Sequence, residues 1–294
     1  MIKKKLITCF LSVPLAVRSF SARPVRRNEE IKLKAVLVAD LHTDGDRYRD
    51  RNNVLRRVFG AIGRTQNDAD TLVLAGDITN CGDEKEYRHL DRFIDFYAKI
   101  KDCVPEMGNH DSWHHSDDPD YETAEKNFKD FCKNRGVKTD KIYFSKKVNG
   151  FTFISVGAEG NDFDDPYFSD EQYAWLDGEL KGACAEGKPV FVICHRPIEH
   201  MFDCAERFLN IMRSNAEGAA APVIYVSGHL HVIGENTFSN PFKNLYYLNL
   251  PSALYNDGGG MGFNAEVYDG KIIFTGMNYI KNRKLDGFTY TVGS

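Results

Sequence analysis

The run Ala35-Val36-Leu37-Val38-Ala39 holds five apolar residues and stops at Asp40-Leu41-His42. Such a short, unbroken apolar run suits a strand covered on both faces. Similar runs stand at Thr71 to Ala75, Phe191 to Cys194 and Val223 to Ser227, with a shorter one at Cys103 to Met107. Each closes on metal-capable residues: Gly76-Asp77, His195, Gly228-His229-Leu230-His231 and Gly108-Asn109-His110-Asp111. In open α/β sheets ligands bind beyond the carboxyl ends of the strands, so the five clusters are expected to converge.

Between the runs the apolar period changes to that of helices. Val54, Leu55, Val58, Phe59 and Ile62 mark a helix over 48–63, and Leu90, Phe93, Ile94 and Tyr97 mark one over 84–100. Strand, helix, strand, helix, strand is the order of a parallel sheet. Further helices are expected near 122–134, 170–185 (capped by Ser169) and 200–215. Late strands near 245–250, 263–268 and 271–276 follow, the last two joined at Asp269-Gly270 as a hairpin. We expect 151–157 and these late strands to build a second, partly antiparallel sheet. The fold class is α/β.

The chain has 294 residues, 42% hydrophobic, with no repeat or low-complexity tract, which suits one globular catalytic domain over 28–294. Residues 1–27 differ: Lys3, Lys4, Lys5, Arg18, Arg23, Arg26 and Arg27 stand against no acid, around an apolar stretch from Leu6 to Val17. That stretch is shorter than the ~20 residues a membrane span needs, and Ser19-Phe20-Ser21 follows it, so the segment reads as a cleavable signal peptide or a basic leader. The expected location is extracytoplasmic. Without those seven cations the remainder holds 31 basic and 42 acidic residues, a formal −11. A nucleic-acid partner is not expected from such a surface, nor a stable membrane span after leader cleavage. The cysteines form no C-x-x-C pair, and Cys194 reads as a small buried hydrophobe.

Asp40 and His42, like His229 and His231, are two residues apart, the spacing that puts side chains on one side of an extended segment. Asp40, His42, Asp77, Asn109, His195, His229 and His231 outnumber the ligands of one tetrahedral zinc and suggest two ions. Mixed carboxylate and imidazole donors suit zinc, iron or manganese better than calcium. Two such ions about 3.5–4 Å apart can hold a bridging hydroxide and neutralise negative charge on a bound substrate. His110 is the spare histidine, a candidate to stabilise the transition state or protonate the leaving oxygen. Asp111 is a candidate to orient it, or to cap the following turn.

This set, in this order, resembles the signature of the calcineurin-like metallophosphoesterase superfamily. The resemblance implies a sandwich of two sheets flanked by helices. It also implies ligand roles: Asp40, His42 and His231 on one metal, Asn109, His195 and His229 on the other, and Asp77 bridging both. The expected activity is metal-dependent hydrolysis of a small phosphodiester or phosphomonoester. Alternatives are a phospholipid-headgroup or nucleotide-sugar pyrophosphate hydrolase, and an inactive metal-binding scaffold.

Within the superfamily, protein phosphatases carry Asp and Arg where Asn80 and Cys81 stand here. Purple acid phosphatases carry a metal-binding tyrosine at the place of Asn80. Gly76-Asp77-Ile78-Thr79-Asn80-Cys81-Gly82 is instead similar to class III cyclic-nucleotide phosphodiesterases. Candidate substrate contacts are Trp113, His114, His115 and Arg196, with the loop Asp164 to Phe168 and the run Gly258 to Gly260.

Overall fold

The structure is a computed structural model that describes residues 29–45, 47–100, 102–112, 120–160 and 163–293. The leader, Trp113, His114 and His115 lie outside the described residues. The strands are β1 (Leu33–Val38), β2 (Thr71–Ala75), β3 (Cys103–Glu106), β4 (Phe144–Val148), β5 (Phe151–Ser155), β6 (Val190–Ile193), β7 (Val223–Ser227), β8 (Phe238–Phe242), β9 (Leu245–Asn249), β10 (Met261–Tyr268), β11 (Lys271–Asn278) and β12 (Arg283–Gly293). The helices are α1 (Arg49–Thr65), α2 (Glu84–Phe93), α3 (Asn109–Ser112), α4 (Tyr121–Asn134), α5 (Asp170–Ala185) and α6 (Ala205–Gly218).

The described residues form two six-stranded mixed sheets, β12-β11-β10-β1-β2-β3 and β4-β5-β6-β7-β9-β8. In the first, β1, β2 and β3 are parallel, and in the second β5, β6, β7 and β9 are. Alternation along the strands divides the core. Phe191 and Ile193 of β6, with Ile224 and Val226 of β7, join the core shared with Leu37, Val73 and Phe263 of the other sheet. Val192 and Tyr225 face the opposite way and pack with Leu176 and Leu180 of α5 and Phe208 and Met212 of α6. Val58 and Phe59 of α1, Leu90 of α2 and Phe128 of α4 complete the first core. Both faces of the parallel strands are therefore buried, the reason these strands read as unbroken apolar runs.

The late strands correct one expectation. Residues 245–249 do join the second sheet, but the β10–β11 hairpin pairs antiparallel with β1 and extends the first. β1 has β2 on one side only, and which open edge a hairpin covers is settled by long-range packing, not by local period. The hairpin turns at Asp269-Gly270 as expected, with Tyr268 paired to Lys271 and Gly270 at φ +79°. The helix expected to run to 100 leaves α-geometry at Ile94 for a π-turn that ends at Lys99, φ +62°.

Glu86 closes the N-terminal capping box of α2, accepting from the amide of Cys81 at 2.8 Å and of Asp83 at 3.4 Å. Burial pushes its carboxyl up to about 7, against those two amides. A carboxyl raised on folding costs stability as pH climbs from the unfolded to the folded pKa. Glutamine keeps the cap without the charge. The stability of Glu86→Gln relative to wild type is therefore expected to rise by about 2 kcal/mol between pH 5 and pH 8. Urea denaturation at the two pH values checks this, and a constant difference contradicts it.

Candidate metal centre

Loops from both sheets meet beyond the ends of β1, β2, β3, β6, β7 and β9. Backbone bonds tie them: the Asp40 amide donates to Gly76 (3.1 Å), His42 to Asp77 (2.9 Å), Gly228 to His195 (2.9 Å) and Ala253 to Ala39 (3.0 Å). All five sequence clusters arrive at this one place.

Extended alternation does not produce the convergence. Asp40 (φ +54°), His42 (+42°), Asp77 (+47°), His229 (+71°) and His231 (+60°) are all in the left-handed region. Among the described residues eleven non-glycine residues have positive φ, and these five are site candidates. Strain of this kind, of order 1–3 kcal/mol each, persists only where the surroundings dictate it, and it concentrates at functional sites. The kinks turn each strand end sharply enough to aim both members of a pair inward.

Asp40, His42, Asp77 and His231 offer ligand atoms that all lie within 4.8 Å of one another. His231 Nε2 is 3.0 Å from Asp40 Oδ1 and 3.2 Å from His42 Nε2, and His42 Nε2 is 3.8 Å from Asp77 Oδ2. His195 Nε2 is 3.1 Å from Asp77 Oδ2 and 3.8 Å from Asp40 Oδ1, and His229 Nδ1 is 3.2 Å from Asn109 Oδ1. The His195 and His229 rings meet edge to face at 5.3 Å. The backbone amide of His229 donates to the Asp40 carboxylate. His195 Nδ1 donates to the Ala75 carbonyl at 2.9 Å, which leaves Nε2 as the nitrogen near Asp77.

A divalent cation fits this donor set. His195 Nε2 is buried with no hydrogen bond aligned on it, and two imidazole nitrogens confront each other at 3.2 Å. Two carboxylates and two facing ring nitrogens have few protons to share and lone pairs to spare. Burial holds the His42 and His229 imidazoles down to about 3, the neutral form that ligation needs. Burial alone would depress His195 too, but the carboxylates of Asp77, Asp40 and Glu106 raise it to about 10. Burial pushes Asp77 up, yet the imidazoles of His195 and His42 outweigh it and hold Asp77 well below the usual carboxylate range.

Two of the three glycines that precede ligands, Gly108 and Gly76, have separate reasons. A Cβ at Gly108 would stand 2.3 Å from the Asp77 amide nitrogen and 2.4 Å from Asp77 Oδ1. Gly76 sits at φ +73°, and a Cβ there would stand 2.5 Å from His195 Cβ. Gly108→Ala therefore drives a methyl group onto the Asp77 carboxylate. The expected result is at least a 10-fold loss of metal affinity, on the scale of outer-shell changes, read by metal titration. Unchanged affinity contradicts the close approach.

His110 and Asp111 divide their work differently from the sequence reading. His110 Nδ1 is 3.0 Å from the Asn80 carbonyl, which can only accept, so Nδ1 carries the proton. The orienting partner of His110 is that carbonyl. Asp111 accepts from the amides of Ile78 (3.1 Å), Thr79 (2.7 Å) and Gly108 (2.9 Å) and from the Thr79 hydroxyl (2.6 Å). Fully buried, it neither orients the ring nor caps the following turn. It clamps the Asp77 loop to the Gly108 loop, because four convergent donors hold a carboxylate better than one ring edge.

Arg196 is buried behind His195, and its guanidinium donates to the Phe163 carbonyl. The Gly258 to Gly260 run packs at Gly259 and Gly260 against Val54, Leu254 and Ile280. Sequence reasoning missed Tyr255, whose ring lies 5.2 Å from both His42 and His231, and His200, 5.3 Å from His229. The signal for Tyr255 was available: Leu250 to Tyr255 follows another parallel strand, β9, whose end reaches the same edge.

Phosphoester hydrolases with metal centres are the class that this fold and donor set define. A family model described as calcineurin-like phosphoesterase matches residues 33–233. The chain belongs to that family, the metallophosphoesterases, and is a phosphoester hydrolase. No curated protein matches it. Among solved structures it is similar to purple acid phosphatase PPD1 from yellow lupin (Lupinus luteus) seeds, at 12% identity and TM-score 0.57, over 90% of this chain and 54% of that one. GAP50, the anchor in the inner membrane complex of Plasmodium, matches at 11% identity and TM-score 0.53, over 89% and 88% of the two chains. The sulfate thiohydrolase SoxB of Thermus thermophilus matches at 11% and 0.52, over 87% and 59%. The chain thus spans little more than half of the lupin enzyme or of the thiohydrolase. These likenesses concern the fold.

Proposed function

We propose that the protein hydrolyses small phosphodiesters or phosphomonoesters at a centre of two divalent metal ions. The observation that carries the proposal is the position of Asp77. Asp40, His42 and His231 offer ligand atoms within 4.8 Å of one another and of Asp77, His195 Nε2 lies 3.1 Å from the Asp77 carboxylate, and His229 pairs with Asn109. Asp77 would be shared by both ions. Metals in such a centre supply a nucleophile from water at neutral pH and neutralise the phosphoryl charge.

The chain's own residues do the rest. Asp111 holds the Asp77 loop against the Gly108 loop, and the His110 amide fixes Asp77 Oδ1 at 2.8 Å. His110 keeps its Nδ1 proton toward Asn80, so it is the doubly protonated ring that carries a second proton, on Nε2, to pass to the leaving oxygen. Asn80 supports a centre without tyrosinate: its side chain accepts from Arg51 and donates toward Cys81 Sγ. The basic and apolar first 27 residues support action outside the cytoplasm.

Turnover of bis-p-nitrophenyl phosphate and p-nitrophenyl phosphate, with manganese or zinc added and with chelator, tests the proposal. Metal-dependent hydrolysis of at least one is expected. Absence of turnover in metal-loaded protein, or turnover indifferent to chelator, contradicts it.

A further inference from the structure

Beyond the metal cluster lies a row of side chains that the mechanism does not use. The Tyr255 ring stacks on His231 at 5.2 Å and 28°, and lies 5.2 Å from His42. The Arg51 guanidinium of α1 stands 5.6 Å from the Tyr255 ring and 4.7 Å from the Tyr48 ring. Arg51 Nη1 also donates to Asn80 Oδ1 at 3.1 Å, and the Asn80 carbonyl is the one that orients His110. A guanidinium therefore stands beside Asn80 although Cys81, the next residue, is buried. It stands near two tyrosine rings, and through Asn80 it is linked to His110, the proposed acid for the leaving group.

Tyr48 and Tyr255 are 50% and 45% exposed, unusual for large rings next to a buried polar cluster. On the other side of His110 the Phe163 ring meets it edge to face at 4.9 Å. The half-exposed rings of Tyr48 and Tyr255 thus present apolar surface beside the Arg51 cation, and Phe163 packs on His110. A hydroxyl-rich leaving group leaves those faces wet, whereas a planar ring covers them and gains from the cation. The steps from His42 to Tyr255 to Arg51 are 5.2 and 5.6 Å, within reach of the base of a nucleoside 5′-ester.

We propose that Tyr48, Arg51 and Tyr255 form a leaving-group subsite that selects phosphoesters whose leaving group carries a planar aromatic ring. The proposal rests on the phosphoesterase reading above. Its test compares adenosine 5′-monophosphate with ribose 5-phosphate, both as monoesters and as their methyl diesters. Each pair shares the phosphate and the departing 5-hydroxyl oxygen and differs at C1, which carries adenine in one and a hydroxyl in the other. The ratio of kcat/KM within a pair is measured on one preparation, so a partly folded variant does not distort it.

Wild-type, metal-loaded protein is expected to favour the adenosine ester about 10-fold, the scale of one base stacked on an aromatic ring. Tyr255→Leu and Arg51→Met are expected to bring the ratio below about 3, and Tyr255→Phe to retain it. A wild-type ratio near one, or one unmoved by Tyr255→Leu and Arg51→Met, overturns the subsite. So does hydrolysis of bis-p-nitrophenyl phosphate with neither adenosine ester turned over, an outcome that leaves the phosphoesterase reading standing. If no phosphoester is hydrolysed, both fall.

Discussion

Asp77→Ala should reduce phosphoester hydrolysis by on the order of 10³-fold or more, about 4 kcal/mol of barrier or greater. The loss should come with loss of bound metal. Asp77 is buried, and its Oδ2 lies 3.1 Å from His195 Nε2 and 3.8 Å from His42 Nε2, so a single carboxylate faces two of the proposed ligands. Removing it leaves the His110 amide without its acceptor and leaves imidazoles facing one another with one carboxylate among them. Asp77→Asn keeps the shape and loses the charge. It should retain the fold and lose most of the activity, which separates charge from packing. Full activity with full metal content in either variant would falsify the shared-ligand role.

His110→Ala should lower kcat by about 10²–10⁴-fold, the range of a positioned acid, while the metal content stays at the wild-type value. The two readouts part because His110 touches the centre in two ways. Its backbone amide holds Asp77 at 2.8 Å and survives the substitution, whereas its ring, set by the Asn80 carbonyl, does not. If the ring protonates the leaving oxygen, the loss should be larger for an alkyl ester than for a p-nitrophenyl ester, whose leaving group departs without a proton. Equal losses for the two esters would assign the ring to the phosphoryl oxygens instead. Loss of metal together with rate would make His110 a part of the ligand scaffold.

The strand ends and their residues could be read from the chain because buried parallel strands leave an unmistakable trace. Ala35 to Ala39 and Val223 to Val226 are apolar throughout because both sheet faces are covered. Strands without that cover were invisible. β4 reads Phe144-Ser-Lys-Lys-Val148 at one edge of its sheet, β8 carries Pro241 at the other edge, and β12 is exposed along most of its length. Polar residues and proline are what an edge tolerates, and they erase the hydrophobic period.

The site was legible as a list of residues and not as a geometry. Asp40 and His42 were expected to share a face of extended chain, but both have left-handed φ, and no composition rule foretells that in a non-glycine residue. Asp111 was misread for a similar reason. Its partners are the amides of Ile78, Thr79 and Gly108, and only the meeting of two loops from different strand ends brings those to it. Tyr255 and Arg51 come to the centre from a late loop and from α1, and their part depends on packing across the two sheets.

The central claim is that seven residues, centred on Asp77, hold two ions. The direct measurement is the metal content per chain of protein stripped with chelator, reloaded with manganese or zinc, desalted and analysed by mass spectrometry of the metal. Two ions per chain are expected in the wild type and a deficit in Asp77→Ala. One ion or none in wild-type protein that hydrolyses phosphoesters would contradict it.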